Sequence, residues 1–186
     1  MVDIVDFSTT SSDIDGLTII TMKQVTDDRG TVREFYRESA FAGNGLGPWK
    51  QVNVTETRPG AVRGMHGETM TKLVAVVSGE ALGAWVDARP ASPTHGAVQT
   101  VPLVPGTQVL VPPGVCNGFQ ALGTVPAQYM YCFDQEWVPG MAGVVCTPLD
   151  PALGIDWPMP IDVDDPSIIS AKDRDAPRFA DMEALS

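Results

Sequence analysis

The chain has 186 residues and carries 23 acidic against 12 basic side chains, a formal net charge of −11. That balance argues against a nucleic-acid or anionic-membrane partner, since those surfaces demand clustered lysine and arginine. It leaves room for a small anionic ligand if the few cations converge in one pocket. Apolar residues make up 44% of the chain and the mean hydropathy is +0.03, which suits a single globular domain with one well-filled core. No apolar run approaches a bilayer span, and Met1–Asp6 lacks both the basic head and the apolar core of a signal peptide. A cytoplasmic location is therefore expected. Cys116, Cys132 and Cys146 form no C-x-x-C pair and are expected as small buried residues in a reducing compartment, neither a disulfide framework nor nucleophiles.

Taken in order, residues 1–16 are rich in Ser, Thr and Asp and are expected to form a loose lead-in. Leu17–Met22 reads as a first strand, Asp27–Gly30 as a turn, and Thr31–Arg37 as a second strand. Phe41–Pro48 is glycine- and proline-rich and reads as loop. Trp49–Thr55 alternates polar and apolar residues, the mark of a half-buried strand. Strand-like runs then recur at Leu73–Val77, Ala81–Val86, Ala97–Val101, Gln108–Val111, Gly118–Ala121, Ala127–Phe133 and Gly143–Thr147. Gly and Pro turns separate them, so an all-β sandwich or jelly-roll barrel is predicted. Only Ser170–Asp173 onward and Pro177–Leu185 look helical.

The stretch Ala61–Gly79 concentrates the chemistry. Arg63, His66 and Lys72 lie between strand-like runs and are expected to project from strand ends into one cavity. His66, one of two histidines, reads either as a satisfied core residue or as a base. As a base it would need a carboxylate partner to fix its tautomer, and spacing alone names none. His95 lies in a turn and reads as a surface residue. Lys72 is either a strand-end lysine reaching for water or a cation beside a developing enolate oxygen. Tyr129 and Tyr131 share one strand face, as core aromatics or as phenols pointing into a barrel. A double-stranded β-helix often binds metal through a His-x-His pair, a Glu and a further His after a Pro-x-Gly turn. Here only His66, Glu68 and Asn117 occupy those places, a poor donor set for zinc or iron, so no metal is expected.

The ordered set Asp28-Arg29-Gly30, Gln51-x-Asn53, Arg63-Gly64-Met65-His66, Lys72-Leu73-Val74, Val86-Asp87-x-Arg89, Ser92-Pro93-Thr94-x-Gly96, Pro113-Gly114, Ile155-x-Trp157-Pro158 and Ser170-Ala171-Lys172-Asp173 closely resembles the dTDP-4-dehydrorhamnose 3,5-epimerase family. The resemblance implies a cupin-like double-stranded β-helix (jelly roll) with a short helical C-terminal tail, usually a homodimer, that uses no metal or other cofactor. It implies a nucleotide-linked 4-keto-6-deoxy sugar, dTDP-linked, as substrate. His66 falls on the family's general base, Asp173 on the carboxylate that orients it, and Tyr131 on the acid at the opposite face of the sugar. Lys72 and Arg63 fall on the cations beside the C4 oxygen. Arg29, Glu34, Gln51 and Asn53 match positions lining the nucleotide-sugar pocket, partly across the dimer.

Three departures stand out. Asn117 replaces a histidine common in the family, Gly83 stands where many members carry Asp, and the segment from His66 to Lys72 is shorter than usual. Asn117 can still bond a sugar hydroxyl but cannot titrate. These departures bear on whether C3, C5 or both are inverted. They also motivate two rivals, an epimerase acting at a single carbon and a non-catalytic cupin that binds the sugar nucleotide. A metal-dependent cupin enzyme is a third.

Overall fold

The structure is a computed structural model, describing residues 2–41 and 49–182. The early strands are β1 (Asp3–Val5), β2 (Ser8–Ser11), β3 (Thr18–Thr21), β4 (Gln24–Asp27) and β5 (Gly30–Arg33), followed by the single helical turn α1 (Glu38–Phe41). The barrel strands follow: β6 (Gln51–Thr57), β7 (Val62–Glu68), β8 (Lys72–Ser78), β9 (Ala81–Asp87), β10 (Val98–Leu103), β11 (Thr107–Val111), β12 (Val115–Ala121) and β13 (Ala127–Phe133). The last strand, β14 (Gly143–Val145), precedes the short helix α2 (Ala171–Arg174).

Two antiparallel sheets face each other as a jelly roll. One has the order β2-β3-β11-β8-β13-β6, the other β10-β9-β12-β7-β14, and a third sheet of order β1-β4-β5 is formed by the N-terminal segment. Valine-rich β8 (Lys-Leu-Val-Ala-Val-Val-Ser) sits centrally between β11 and β13, with Val74 and Val76 buried on one face of the pleat and Leu73 and Ala75 on the other. Val74, Val76, Trp85, Leu103, Val109, Phe119 and Tyr129 fill the space between the sheets. A fully buried side chain of this kind contributes roughly 1.5–3 kcal/mol. The C-terminal segment covers the outer face of the five-stranded sheet, where Leu153, Trp157 and Phe179 pack on Met65, Cys116 and Cys146. All three cysteines are buried and unpaired by disulfides. Among the described residues no helix is long and apolar enough to cross a membrane.

The jelly roll predicted from the turn spacing and from the resemblance is what forms, with three differences in detail. Segment 3–11 does not run loose: β1 pairs with β4 and β2 with β3, the Ser and Thr residues of β2 taking exposed edge positions. The helical tail shrinks to α2 and a 3₁₀ turn at Phe179–Asp181; the part of the expected Pro177–Leu185 helix beyond Met182 lies outside the described residues, as do 42–48 of the expected loop. Most consequentially, Arg63 and His66 do not sit at strand ends. They lie within β7, whose strand signal is diluted by Gly64 and Gly67. Gly64 has φ +121°, a conformation that side chains rarely adopt, and a Cβ there would lie 2.5 Å from the Cα of Gly118. The register between β7 and β12 shifts at this point, so that Asn117 pairs with His66 but Phe119 with Arg63. The shift turns Arg63 and His66, three residues apart, onto one face.

Candidate active site

That face borders a cavity of about 350 Å³ between the two sheets. The five-stranded sheet contributes Arg63, Glu68, Asn117 and Phe119, while the six-stranded sheet contributes Gln51, Asn53, Lys72, Tyr129 and Tyr131, with Trp137 beyond its end. His66 stands beside the cavity. Its neighbours along β7, Arg63 and Glu68, and its cross-strand partner Asn117 all line it.

The carboxylate that spacing could not name is Asp173. Ile168 accepts a hydrogen bond from the Val62 N–H, so the C-terminal chain runs along the edge of β7 and delivers α2 to its middle. Ser170 caps that helix, its hydroxyl accepting from the Asp173 N–H. Asp173 is 5% exposed. Its Oδ1 lies 2.8 Å from His66 Nε2 and its Oδ2 accepts from the Gly64 N–H at 3.4 Å. Burial pushes the carboxyl up, but the bonds from His66, the Gly64 amide and Ser170 outweigh it and hold Asp173 below the ordinary carboxylate range. An ionised Asp173 accepts a hydrogen bond from Nε2–H, which fixes the proton there and leaves the Nδ1 lone pair as the basic position. The His66 side chain is 36% exposed, so a ligand can reach it.

Lys72 opens β8 but does not reach for water. It is 3% exposed and spans the cavity wall from β8 to the opposite sheet. Its ammonium donates to the Glu68 carboxylate, to the Asn117 amide oxygen and to the His66 carbonyl, the last at 3.2 Å. Arg63 donates through Nε to Thr57 at 3.0 Å and brings a second positive charge to the same cavity. Glu68 is the residue that the sequence reading missed. In the sequence it stands out only as a replacement for a metal-binding histidine, and its position four residues before Lys72, across a turn, is the available signal.

Across the cavity, β13 presents its two phenols. Tyr129 stacks on Phe119 with ring centroids 4.0 Å apart; burial foremost, then the Glu68 charge, drives its phenol far above the ordinary range, so it stays protonated. Tyr131 is less buried and accepts from the Thr55 hydroxyl at 3.4 Å. Gln51 and Asn53, two apart on β6, face the cavity together, with Gln51 donating to Asn53 at 3.3 Å. The departure at Gly83 has a steric reason: a Cβ there would lie 2.4 Å from the Trp85 ring. The shortened connection between His66 and Lys72 is the link from β7 to β8, plugged by fully buried Met70. Arg29 and Glu34 are not among the residues lining this cavity. Arg29 stands at the β4–β5 turn, its side chain 90% exposed and paired with Asp27, and Glu34 pairs with Arg37. Among the described residues no three His, Cys, Asp or Glu side chains gather as a metal site. His95 stacks on Phe179 at the surface.

A jelly roll that holds an imidazole–carboxylate pair and a phenol around a cation-lined cavity has the parts of a cupin-type isomerase, an enzyme that moves protons on a small polar ligand. The comparisons with known proteins agree. The model of the family described as dTDP-4-dehydrorhamnose 3,5-epimerase matches residues 11–181, and the chain belongs to that family. It is 36% identical over 177 residues to a dTDP-4-dehydrorhamnose 3,5-epimerase of Streptomyces griseus, covering 91% of this chain and 86% of the relative. It is 34% identical over 169 residues to a dTDP-4-dehydro-6-deoxyglucose 3-epimerase of Streptomyces bikiniensis, covering 86% and 83%. The crystal structure of a dTDP-6-deoxy-D-glucose-3,5-epimerase from Legionella pneumophila, in complex with dTDP-4-keto-L-rhamnose, superposes with a TM-score of 0.83 at 29% identity, covering 94% of each chain.

Proposed function

We propose that this protein inverts C3, C5 or both of a dTDP-linked 4-keto-6-deoxy sugar. The observation that carries the reading is the His66–Asp173 pair standing beside a cavity that Lys72, Arg63 and Tyr131 all line. His66 Nδ1 takes the proton α to the C4 ketone. The C–H bonding pair moves into the ring as a carbon–carbon double bond, and negative charge collects on the C4 oxygen. A neutral imidazole can do this only if that charge is stabilised as it forms, which is the role of Lys72 and Arg63. Tyr131 then delivers a proton to the opposite face of the same carbon, and the configuration inverts. Gln51, Asn53 and Asn117 offer amides to the nucleotide sugar.

A single inverted carbon is the second reading. The Streptomyces bikiniensis relative is named for C3 alone, and with Asn117 in place of a histidine, His66 is the one imidazole beside the cavity among the described residues. Proton NMR of the product formed from dTDP-4-keto-6-deoxyglucose separates the two through the ring coupling constants at C3 and C5. Sugar-nucleotide binding in a calorimeter with no turnover on any 4-keto sugar would instead favour the binding-protein rival.

A homodimer is part of the same proposal. The N-terminal sheet exposes Val2, Ile4 and Val32, and the edge strand β6 exposes Val52 and Val54, apolar surface that a second copy would cover. Arg29, exposed at the β4–β5 turn, and Glu34 just beyond it lie outside the lining of their own cavity and in a dimer would serve the other copy's. Light scattering should give twice the 19.8 kDa chain mass; a monomeric mass at working concentration would remove the dimer.

A further inference from the structure

Lys72 has a full set of partners before any ligand arrives. An ammonium has three donors, and here they go to Glu68, Asn117 and the His66 carbonyl. Of these acceptors only Glu68 is charged, and among the described residues it is the one carboxylate paired with Lys72. Glu68 is firmly placed: its carbonyl accepts from the Gly114 N–H at 2.8 Å, and its side chain, 21% exposed, lines the cavity. Through Oε2 it meets Lys72. Arg63 adds a second cation to the same cavity and is bonded to Thr57, a neutral partner. Without Glu68 the cavity would hold two like charges with no counter-charge, and a buried ammonium in that position tends to move away. Position 83 on β9 offers no substitute, because the Trp85 ring occupies the room that a side chain there would need.

We propose that Glu68 is a positioning residue that holds the Lys72 ammonium fixed at the cavity wall, ready for the C4 oxygen of a 4-keto sugar. This inference rests on the epimerase reading. An incoming carbonyl oxygen takes the place of a neutral acceptor on Lys72, while the charge-assisted contact, the strongest of the three, is retained. Glu68 thus acts on the reaction through Lys72 and supports the enolate without touching it.

The test compares wild type, Glu68→Gln and Glu68→Asp in solvent-deuterium exchange of dTDP-4-keto-6-deoxyglucose, with calorimetric binding of dTDP as a check that all three fold. Glu68→Gln keeps an acceptor but removes the charge; its kcat should fall at least tenfold while KM stays within threefold. Glu68→Asp keeps the charge and should recover to within threefold of wild type. A Glu68→Gln enzyme with the wild-type kcat, a loss confined to KM, or an aspartate variant as impaired as the glutamine one would each overturn the proposal. A wild type that exchanges nothing would overturn the epimerase reading itself, and this proposal with it.

Discussion

Replacing Asp173 by asparagine should lower the rate of proton exchange at the sugar by about 10²- to 10⁴-fold, the range that a positioned general base contributes, with little change in fold. The substitution is nearly isosteric, so the bonds to the Gly64 amide and the Ser170 cap can persist. What changes is the charge opposite His66 Nε2. An ionised Asp173, held in that state by the bonds that lower its pKa, accepts a hydrogen bond from Nε2–H and leaves the Nδ1 lone pair free. An amide can present its NH₂ group to Nε2 and so leave the proton on Nδ1, the position that must be empty to take one from carbon. It also withdraws the negative charge that steadies the imidazolium once formed. Stopped-exchange NMR across pH 6–9 would measure the loss; near-native exchange in Asp173→Asn would mean that this carboxylate only holds α2 against β7.

Tyr131→Phe should separate two events that run together in the native enzyme. His66 can still remove the proton and return a solvent-derived one to the same face, so deuterium enters the sugar without inversion. Epimerised product should fall by about 10²- to 10⁴-fold, again the contribution of one proton-transfer group, while exchange at the same carbon stays much faster than inversion. Tyr129 is poorly placed to take over, being 3% exposed, stacked on Phe119 and held firmly protonated. Mass spectrometry of the recovered substrate, set against NMR of the product, gives both rates from one reaction. Equal losses of exchange and inversion would place Tyr131 among the residues needed to form the enolate.

The strands that sequence made plain are those whose side chains decide their own backbone. β8 and β13 declare themselves through β-branched and aromatic runs, and β6 through its alternation. β7, which carries His66, does not, because Gly64 and Gly67 contribute no strand propensity. Its strand state comes from hydrogen bonds to β12 and β14 on either side, and those are tertiary. The same limit applied to Asp173. It meets His66 across 107 positions of sequence, a distance that no local pattern spans, so only resemblance points to it. Glu68 was legible as four residues before Lys72, yet β7 and β8 belong to different sheets, and only the crossover between them makes the two side chains meet. Gly83 was legible as a departure, but its cause lies in the bulk of Trp85 beside it on β9.

Incubating the native protein and His66→Ala with dTDP-4-keto-6-deoxyglucose in deuterium oxide tests the central claim most directly. The native enzyme should place deuterium at C3, at C5 or at both, with inversion at each labelled carbon, and His66→Ala should place none above the uncatalysed rate. Deuterium entering at the native rate in His66→Ala, or no deuterium from the native enzyme with any 4-keto-6-deoxy sugar nucleotide, would contradict it.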